Sequence, residues 1–333
     1  MEDKLVLNVD NLNVTFNTKR GTAKAVTDVS FTLHKGEKLG LVGESGCGKS
    51  VTCKSIMRLL PEPPAVLKGK IDLSGTSILD LTEKEMYAIR GNRISMIFQE
   101  PMVSLNPLYT IGNQLSEVIT LHKKLSKEEA REAVIAMLKE VGIPSPEIRF
   151  KQYPFELSGG MRQRVMIAMA LLCQPEILIA DEPTTALDVT IQAQILDLLN
   201  GINKKFGTAI ILITHDLGLV AENTDTVAVM YAGRIVEKAP VKQLFKHPQH
   251  PYTQGLLRSV PTMQDTGKDL PTIEGTVPSL YNLPKGCPFC TRCTKVQDKC
   301  HETMPPATAV AEGFVRCWLF ADEHGEEGAE HVF

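Results

Sequence analysis

Apolar and polar positions alternate in short runs at the start of the chain: Leu7-Asn8-Val9, then Leu12-Asn13-Val14-Thr15-Phe16, then Ala25 to Phe31 beyond a turn through Lys19-Arg20-Gly21-Thr22. Alternation with period two sends successive side chains to opposite faces, so the pattern predicts an antiparallel hairpin layer with one face on a core. The run Lys38-Leu39-Gly40-Leu41-Val42 is short and apolar, as a buried strand requires, and Val51 to Leu60 reads as a helix halted by Pro61. Gly69 to Leu73 and Arg93 to Phe98 are predicted as further strands. Between Pro107 and Pro154 the period lengthens to that of a helix: Ala130, Val134, Met137, Leu138 and Val141 share one face, and Lys127, Glu128, Arg131, Glu132 and Lys139 lie elsewhere. Ser126 with Glu129 forms a capping box for it. This block, about residues 100–170, is predicted as a helical subdomain inserted between two strands of the core. Past it, Ile177 to Ala180 is an apolar strand ending in Asp181-Glu182, Thr190 to Lys205 is a helix, and Ala209 to Ile213 is a strand closed by Thr214-His215-Asp216. Strands alternating with helices predict an α/β core.

Candidate chemistry gathers at the ends of those strands. Gly43-Glu44-Ser45-Gly46-Cys47-Gly48-Lys49-Ser50 fits the phosphate-loop pattern G-x-x-x-x-G-K-[ST] between a predicted strand and a predicted helix. Glycines at 43, 46 and 48 let backbone N–H groups close on phosphate oxygens, and the helix N-terminus brings its positive dipole end to the same point. Lys49 would meet the β- and γ-phosphates, and the Ser50 hydroxyl would coordinate Mg²⁺. Gln99, ending the strand after Phe98, is placed to touch Mg²⁺ or its water, although taken alone such a residue is more often a surface one. Leu157-Ser158-Gly159-Gly160-Met161 opens a long helix and makes a second anion-binding turn. Asp181 suits the Mg²⁺ shell, and Glu182, on the opposite face, suits orienting a water on the γ-phosphate. His215 stands at a strand end in the same series. Phe16, at a strand end before the phosphate loop, suits stacking on an adenine ring and equally suits the core.

Composition adds limits. The chain has 333 residues, 43% hydrophobic and 23% charged, enough for two or three globular domains. A net charge of -3 without a dominant Lys/Arg run argues against a nucleic-acid partner. Met1-Glu2-Asp3-Lys4 does not begin a signal peptide, and no 18-residue apolar run spans a membrane, so the chain is expected in the cytosol unless a partner holds it at a membrane. Five of eight cysteines (Cys287, Cys290, Cys293, Cys300, Cys317) fall near the C-terminus, a clustering that in a reducing compartment more often marks metal than disulfides.

The ordered set GESGCGKS, Gln99, LSGGM, ILIADE, Ala186-Leu187-Asp188 and His215 resembles the nucleotide-binding subunit of an ATP-binding cassette (ABC) transporter, over roughly residues 5–245. Met161 replaces the glutamine of the usual LSGGQ signature. The resemblance implies a P-loop ATPase core with an antiparallel β layer and a helical subdomain, using ATP and Mg²⁺. It also implies a head-to-tail pair of cassettes, with each ATP between the phosphate loop of one and Ser158, Gly159 and Gly160 of the other. The stretch from Gln99 to Pro107 corresponds to the region that receives a coupling helix from the membrane subunit.

Beyond residue 245, His247-Pro248-Gln249-His250-Pro251-Tyr252-Thr253, the Pro-containing linker through Pro271, Pro278 and Pro284, and Gly286-Cys287-Pro288-Phe289 resemble the oligopeptide/dipeptide importer branch. This divides the chain into an ATPase domain, 1–245, and a small Cys-rich extension, 246–333. The branch implies a second, different ATPase subunit, two transmembrane permease subunits and an external peptide-binding protein, with this chain peripheral on the cytoplasmic face. Nickel and some glycoside importers share the branch. Soluble cassette ATPases of DNA repair or ribosomes are disfavoured by one cassette, no coiled-coil insertion and no basic face. Cys287, Cys293, Cys300 and Cys317 match the branch's C-terminal cysteine pattern, which implies a [4Fe-4S] cluster; Cys290 is extra to it. The x2 spacings of Cys287, Cys290 and Cys293 also resemble the start of a ferredoxin motif and suit zinc, and free thiols in a loop-rich tail are a further reading.

Overall fold

A computed structural model describes residues 4–99, 104–184, 188–260, 272–310 and 312–324. The backbone forms two compact units, one of residues 1–6, 34–37 and 80–213, the other of residues 7–33, 38–79 and 214–333.

In the first unit, Ile94–Ile97, Ile177–Asp181 and Ala209–Ile213 run parallel, pairing Ile97 with Ala180 and Asp181 with Ile213. Every residue of these three strands is buried, which explains why they read as unbroken apolar runs. The helices Ile111–His122, Lys127–Glu140, Gly159–Leu171 and Val189–Phe206 supply the α component. The predicted capping box is present: the Ser126 hydroxyl accepts from Glu129 N–H, and the Glu129 carboxylate accepts from Ser126 N–H at 2.8 Å. Ala130, Val134, Met137 and Leu138 are buried as their spacing requires.

In the second unit, the long strands Leu5–Thr18 and Gly21–His34 belong to an antiparallel sheet that continues through Ala65–Leu73 to Thr76–Ser77. The register shifts between Asp10 and Asn13. There Gly69 (φ +115°) faces Asn11, whose carbonyl oxygen would lie 2.4 Å from any added Cβ, so the close approach admits only glycine. A second sheet carries the phosphate loop: Lys38–Val42 runs parallel to Thr226–Tyr231, which pairs antiparallel with Arg234–Pro240. Two short strands near the C-terminus, Gly313–Val315 and Thr308–Val310, extend the same sheet. The C-terminal residues therefore share a core with the nucleotide strand: Val42, Tyr231, Tyr252, Cys287, Phe289 and Cys300 lie in one buried cluster. The helix after the phosphate loop is shorter than the sequence pattern suggests, Lys49–Ile56, and closes before Pro61 because Arg58 takes a left-handed φ of 48°.

Candidate functional site

The phosphate loop starts where the buried strand Lys38–Val42 ends. Gly43 has φ +144° and its added Cβ would meet the Met230 carbonyl oxygen at 2.2 Å; Gly48 has φ +108° and would meet the Ala25 carbonyl at 2.8 Å. Both positions exclude any side chain. Gly46 (φ +77°) has nothing within 4 Å of its Cβ direction, so its backbone faces open space. Gly48 caps the helix without a side-chain hydrogen bond, so no cap side chain occupies the first-turn N–H groups that an anion would use. Lys49 is buried, and its Nζ donates to the Gly43 carbonyl at 2.7 Å and the Glu44 carbonyl at 3.1 Å. This ammonium is held beside the loop rather than extended into solvent, within reach of an incoming phosphate. Burial pushes the neighbouring Cys47 thiol up, so it stays protonated and packs as a small apolar group. Ser45 is exposed and Ser50 half-buried at the mouth of the loop.

The same unit brings His215 to the loop. Gly43, Glu44, His215 and Asp216 line one pocket with Leu256, Ser259 and Val260, residues the sequence pattern did not single out. Phe16 is half-buried, its backbone opposite Ala65.

The other unit assembles the carboxylates. Asp181 ends its strand 6% exposed, and Glu182 follows with φ 49° and its N–H on the Ile213 carbonyl at 2.9 Å. That left-handed backbone is uncommon for a residue with a side chain and fixes the direction in which the carboxylate leaves the strand. Gln99 Nε2 donates to Glu182 Oε2 at 2.8 Å, so two residues separated in sequence by a whole subdomain meet. Ser158 caps the helix Gly159–Leu171 by accepting from Met161 N–H, and Ser158 and Gly159 are exposed. Gln163 Nε2 of that helix donates to the Pro183 carbonyl at 2.6 Å, joining the second anion turn to the segment after Glu182. Asp188 caps the next helix, while Ala186, Leu187 and residues 100–103 lie outside the described residues.

Cys287, Cys290, Cys293, Cys300 and Cys317 line one small cavity together with His250, Lys295, Gln297, Phe289 and Trp318. The Cys293 thiol accepts the Lys295 backbone N–H at 3.4 Å. Burial first, then the neighbouring cysteines, push the Cys287 thiol up to about 12, and burial pushes Cys317 up to about 11. Gly286 allows the two arms to close, because its Cβ would lie 2.3 Å from the Cys300 carbonyl oxygen. Among the described residues, no three His, Cys, Asp or Glu side chains converge on a point that one ion could occupy.

Comparison with known proteins places the chain. The family model for ABC transporters matches residues 26–185, and that for the oligopeptide/dipeptide transporter C-terminal region matches residues 236–300. The dipeptide transport ATP-binding protein DppD of Bacillus subtilis is 54% identical over 329 residues, covering 98% of this chain and 97% of the relative. The oligopeptide transport ATP-binding protein OppD of Salmonella typhimurium is 52% identical, covering 94% of this chain and 92% of that protein. Among solved structures, a dimeric ATP-binding cassette in a post-hydrolysis state bound to ADP and Pi superposes with a TM-score of 0.63 at 27% identity, covering 71% of this chain and 98% of its own. CbiO1 from Clostridium perfringens, part of an ABC transporter complex, gives a TM-score of 0.63 at 31% identity, covering 74% and 92%.

Proposed function

The chain belongs to the ABC transporter family, and on that premise we infer that it is the ATP-binding and ATP-hydrolysing subunit of an importer of di- or oligopeptides. The observation that carries the reading is the phosphate loop, with two positions closed to side chains, an uncapped helix start and the buried Lys49 ammonium.

In this reading the loop amides and Lys49 bind the β- and γ-phosphates. Bound Mg²⁺ supplies charge neutralisation of the phosphate oxygens, with Ser50, Asp181 and Gln99 as the residues that would hold it or its waters. Glu182 orients the attacking water, and the Gln99 hydrogen bond holds its carboxylate in one direction. His215, lining the pocket with Gly43, faces the γ-phosphate end, and Phe16 stacks on the adenine. Ser158, Gly159 and Gly160 serve the nucleotide of a second cassette; their exposed helix N-terminus and the dimeric state of the solved cassette support this. Lys49→Ala tests the phosphate loop: the full chain should bind ATP at least about tenfold more weakly, a loss of about 1.4 kcal/mol. Unchanged affinity by equilibrium titration refutes the site.

The two family matches support a division into an ATPase domain, 1–245, and an extension, 246–333. We assign the partners as a second, different ATPase subunit, two transmembrane permease subunits and an extracytoplasmic peptide-binding protein, with this chain peripheral on the cytoplasmic face. No helix among the described residues is long and apolar enough to cross a membrane, which suits a peripheral subunit. A nickel importer of the same branch is the second reading, disfavoured by the peptide transport relatives.

We also assign a [4Fe-4S] cluster to the cysteine cavity, held by Cys287, Cys293, Cys300 and Cys317. Five cysteines lining one cavity, with the Lys295 N–H directed at the Cys293 sulfur, support it. A cluster spreads its thiolates over separate iron atoms, which accommodates cysteines that do not meet at one point. It would supply a crosslink for a segment with little apolar periodicity.

A further inference from the structure

The cysteine loop and the phosphate loop are joined by a contact that neither motif requires. Arg292 lies between Cys290 and Cys293, and its side chain is only 4% exposed. Its Nη1 donates to Glu44 Oε2 at 2.7 Å and its Nη2 to Glu44 Oε1 at 3.0 Å, a two-pronged grip on the second residue of the phosphate loop. The remaining donors are used as well: Nη2 on the Ile273 carbonyl at 3.0 Å, Nε on the Glu274 carbonyl at 2.9 Å, and Nη1 on the Tyr231 hydroxyl at 3.4 Å. The guanidinium carbon lies 5.8 Å from the centre of the Tyr231 ring. From the same extension, the Tyr252 hydroxyl accepts the Glu44 backbone N–H at 2.9 Å. Phe289 packs against Tyr231 and Tyr252 at ring-centre distances of 5.2 and 5.4 Å, so the cysteine loop and these two hydroxyls form one packed block.

Glu44 presents a problem that this block solves. A carboxylate two residues before Gly46 belongs to a loop built to receive a triphosphate, and it lines the pocket shared by Gly43 and His215. Left alone it would repel the ligand the loop binds; neutralised and turned aside, it leaves the field to Lys49 and the backbone N–H groups. Arginine suits the task better than lysine, because its planar fork matches both carboxylate oxygens and stays charged when buried.

We propose that Arg292 is a positioning residue for nucleotide binding, by which the Cys-rich extension neutralises and holds Glu44 and so sets the affinity of the phosphate loop for ATP. This deepens the reading of the chain as an ATP-binding subunit and does not depend on which group the cysteines hold. The extension is then part of the nucleotide site.

The test is ATP affinity of the full-length chain, by titration with Mg²⁺-ATP, for wild type, Arg292→Gln, Arg292→Lys and the double variant Arg292→Gln/Glu44→Gln. Arg292→Gln should raise the Kd about tenfold. Arg292→Lys, which keeps the charge and loses the fork, should raise it about two- to fivefold. The double variant should recover most of the affinity lost in Arg292→Gln, because the uncompensated carboxylate is gone; a residue that merely stabilised the fold would give no such rescue. An unchanged Kd in Arg292→Gln, or a double variant as weak as Arg292→Gln, overturns the proposal. If Arg292→Gln does not fold, Arg292→Lys decides alone, an unchanged Kd refuting it. A wild-type chain that binds no ATP would instead refute the phosphate loop itself, so the two failures are distinct.

Discussion

In the proposed mechanism Glu182 carries the heaviest chemical demand, and its surroundings hold its carboxylate in one direction. Its backbone is in the left-handed region at φ 49°, its N–H is tied to Ile213, and one carboxylate oxygen accepts from Gln99 at 2.8 Å. Replacing it by glutamine keeps the volume and a hydrogen-bonding group but removes the negative oxygen that would accept a proton from water. Glu182→Gln should therefore bind ATP nearly as wild type does while turning over at least about 100-fold more slowly, about 2.7 kcal/mol in the barrier. Hydrolysis near the wild-type rate in a single-turnover assay would remove Glu182 from this role. Lys49 differs in kind: in the proposed site it binds the phosphates in the ground state, so its loss is read in affinity.

At the scale of elements, the strands and helices were legible where one physical requirement dominated. The strands Ile177–Asp181 and Ala209–Ile213 are buried on both faces, so their composition alone marked them, and the Ser126–Glu129 box marked the helix Lys127–Glu140. The phosphate loop was legible because backbone geometry admits only glycine at Gly43 and Gly48. The meeting of Gln99 with Glu182 was legible only as two strand ends, since pairing depends on parallel register. The contacts of Arg292 and Tyr252 to Glu44 were not legible, because they span 248 and 208 residues and no local pattern encodes them. Cys290 lines the same cavity as the four assigned ligands, so spacing alone does not choose among five thiols. Anaerobically purified chain should be brown and contain iron; Cys290→Ser should keep the colour and Cys293→Ser should bleach it. Colourless protein with stoichiometric zinc would overturn the cluster, and the reverse colour pattern would overturn the choice of ligands.

At the scale of the whole molecule, the two anion-binding turns belong to different compact units: Gly43 to Ser50 in one, Ser158 to Gly160 in the other. In the paired assembly proposed above, each nucleotide would lie between the phosphate loop of one cassette and the second turn of another. The C-terminal strands Thr308–Val310 and Gly313–Val315 continue the sheet that holds the phosphate loop, so the extension is built into the nucleotide-binding unit. In the proposed assembly the chain contributes energy to transport, and peptide recognition falls to its partners. The most direct measurement of that claim is uptake of a radiolabelled dipeptide by cells whose only copy of this chain carries Glu182→Gln, with the variant's amount at the membrane matched to wild type. Uptake should fall to the level of cells lacking the chain, although the variant still assembles and binds ATP; uptake at the wild-type rate would contradict the assignment of this chain as the ATPase that drives peptide import.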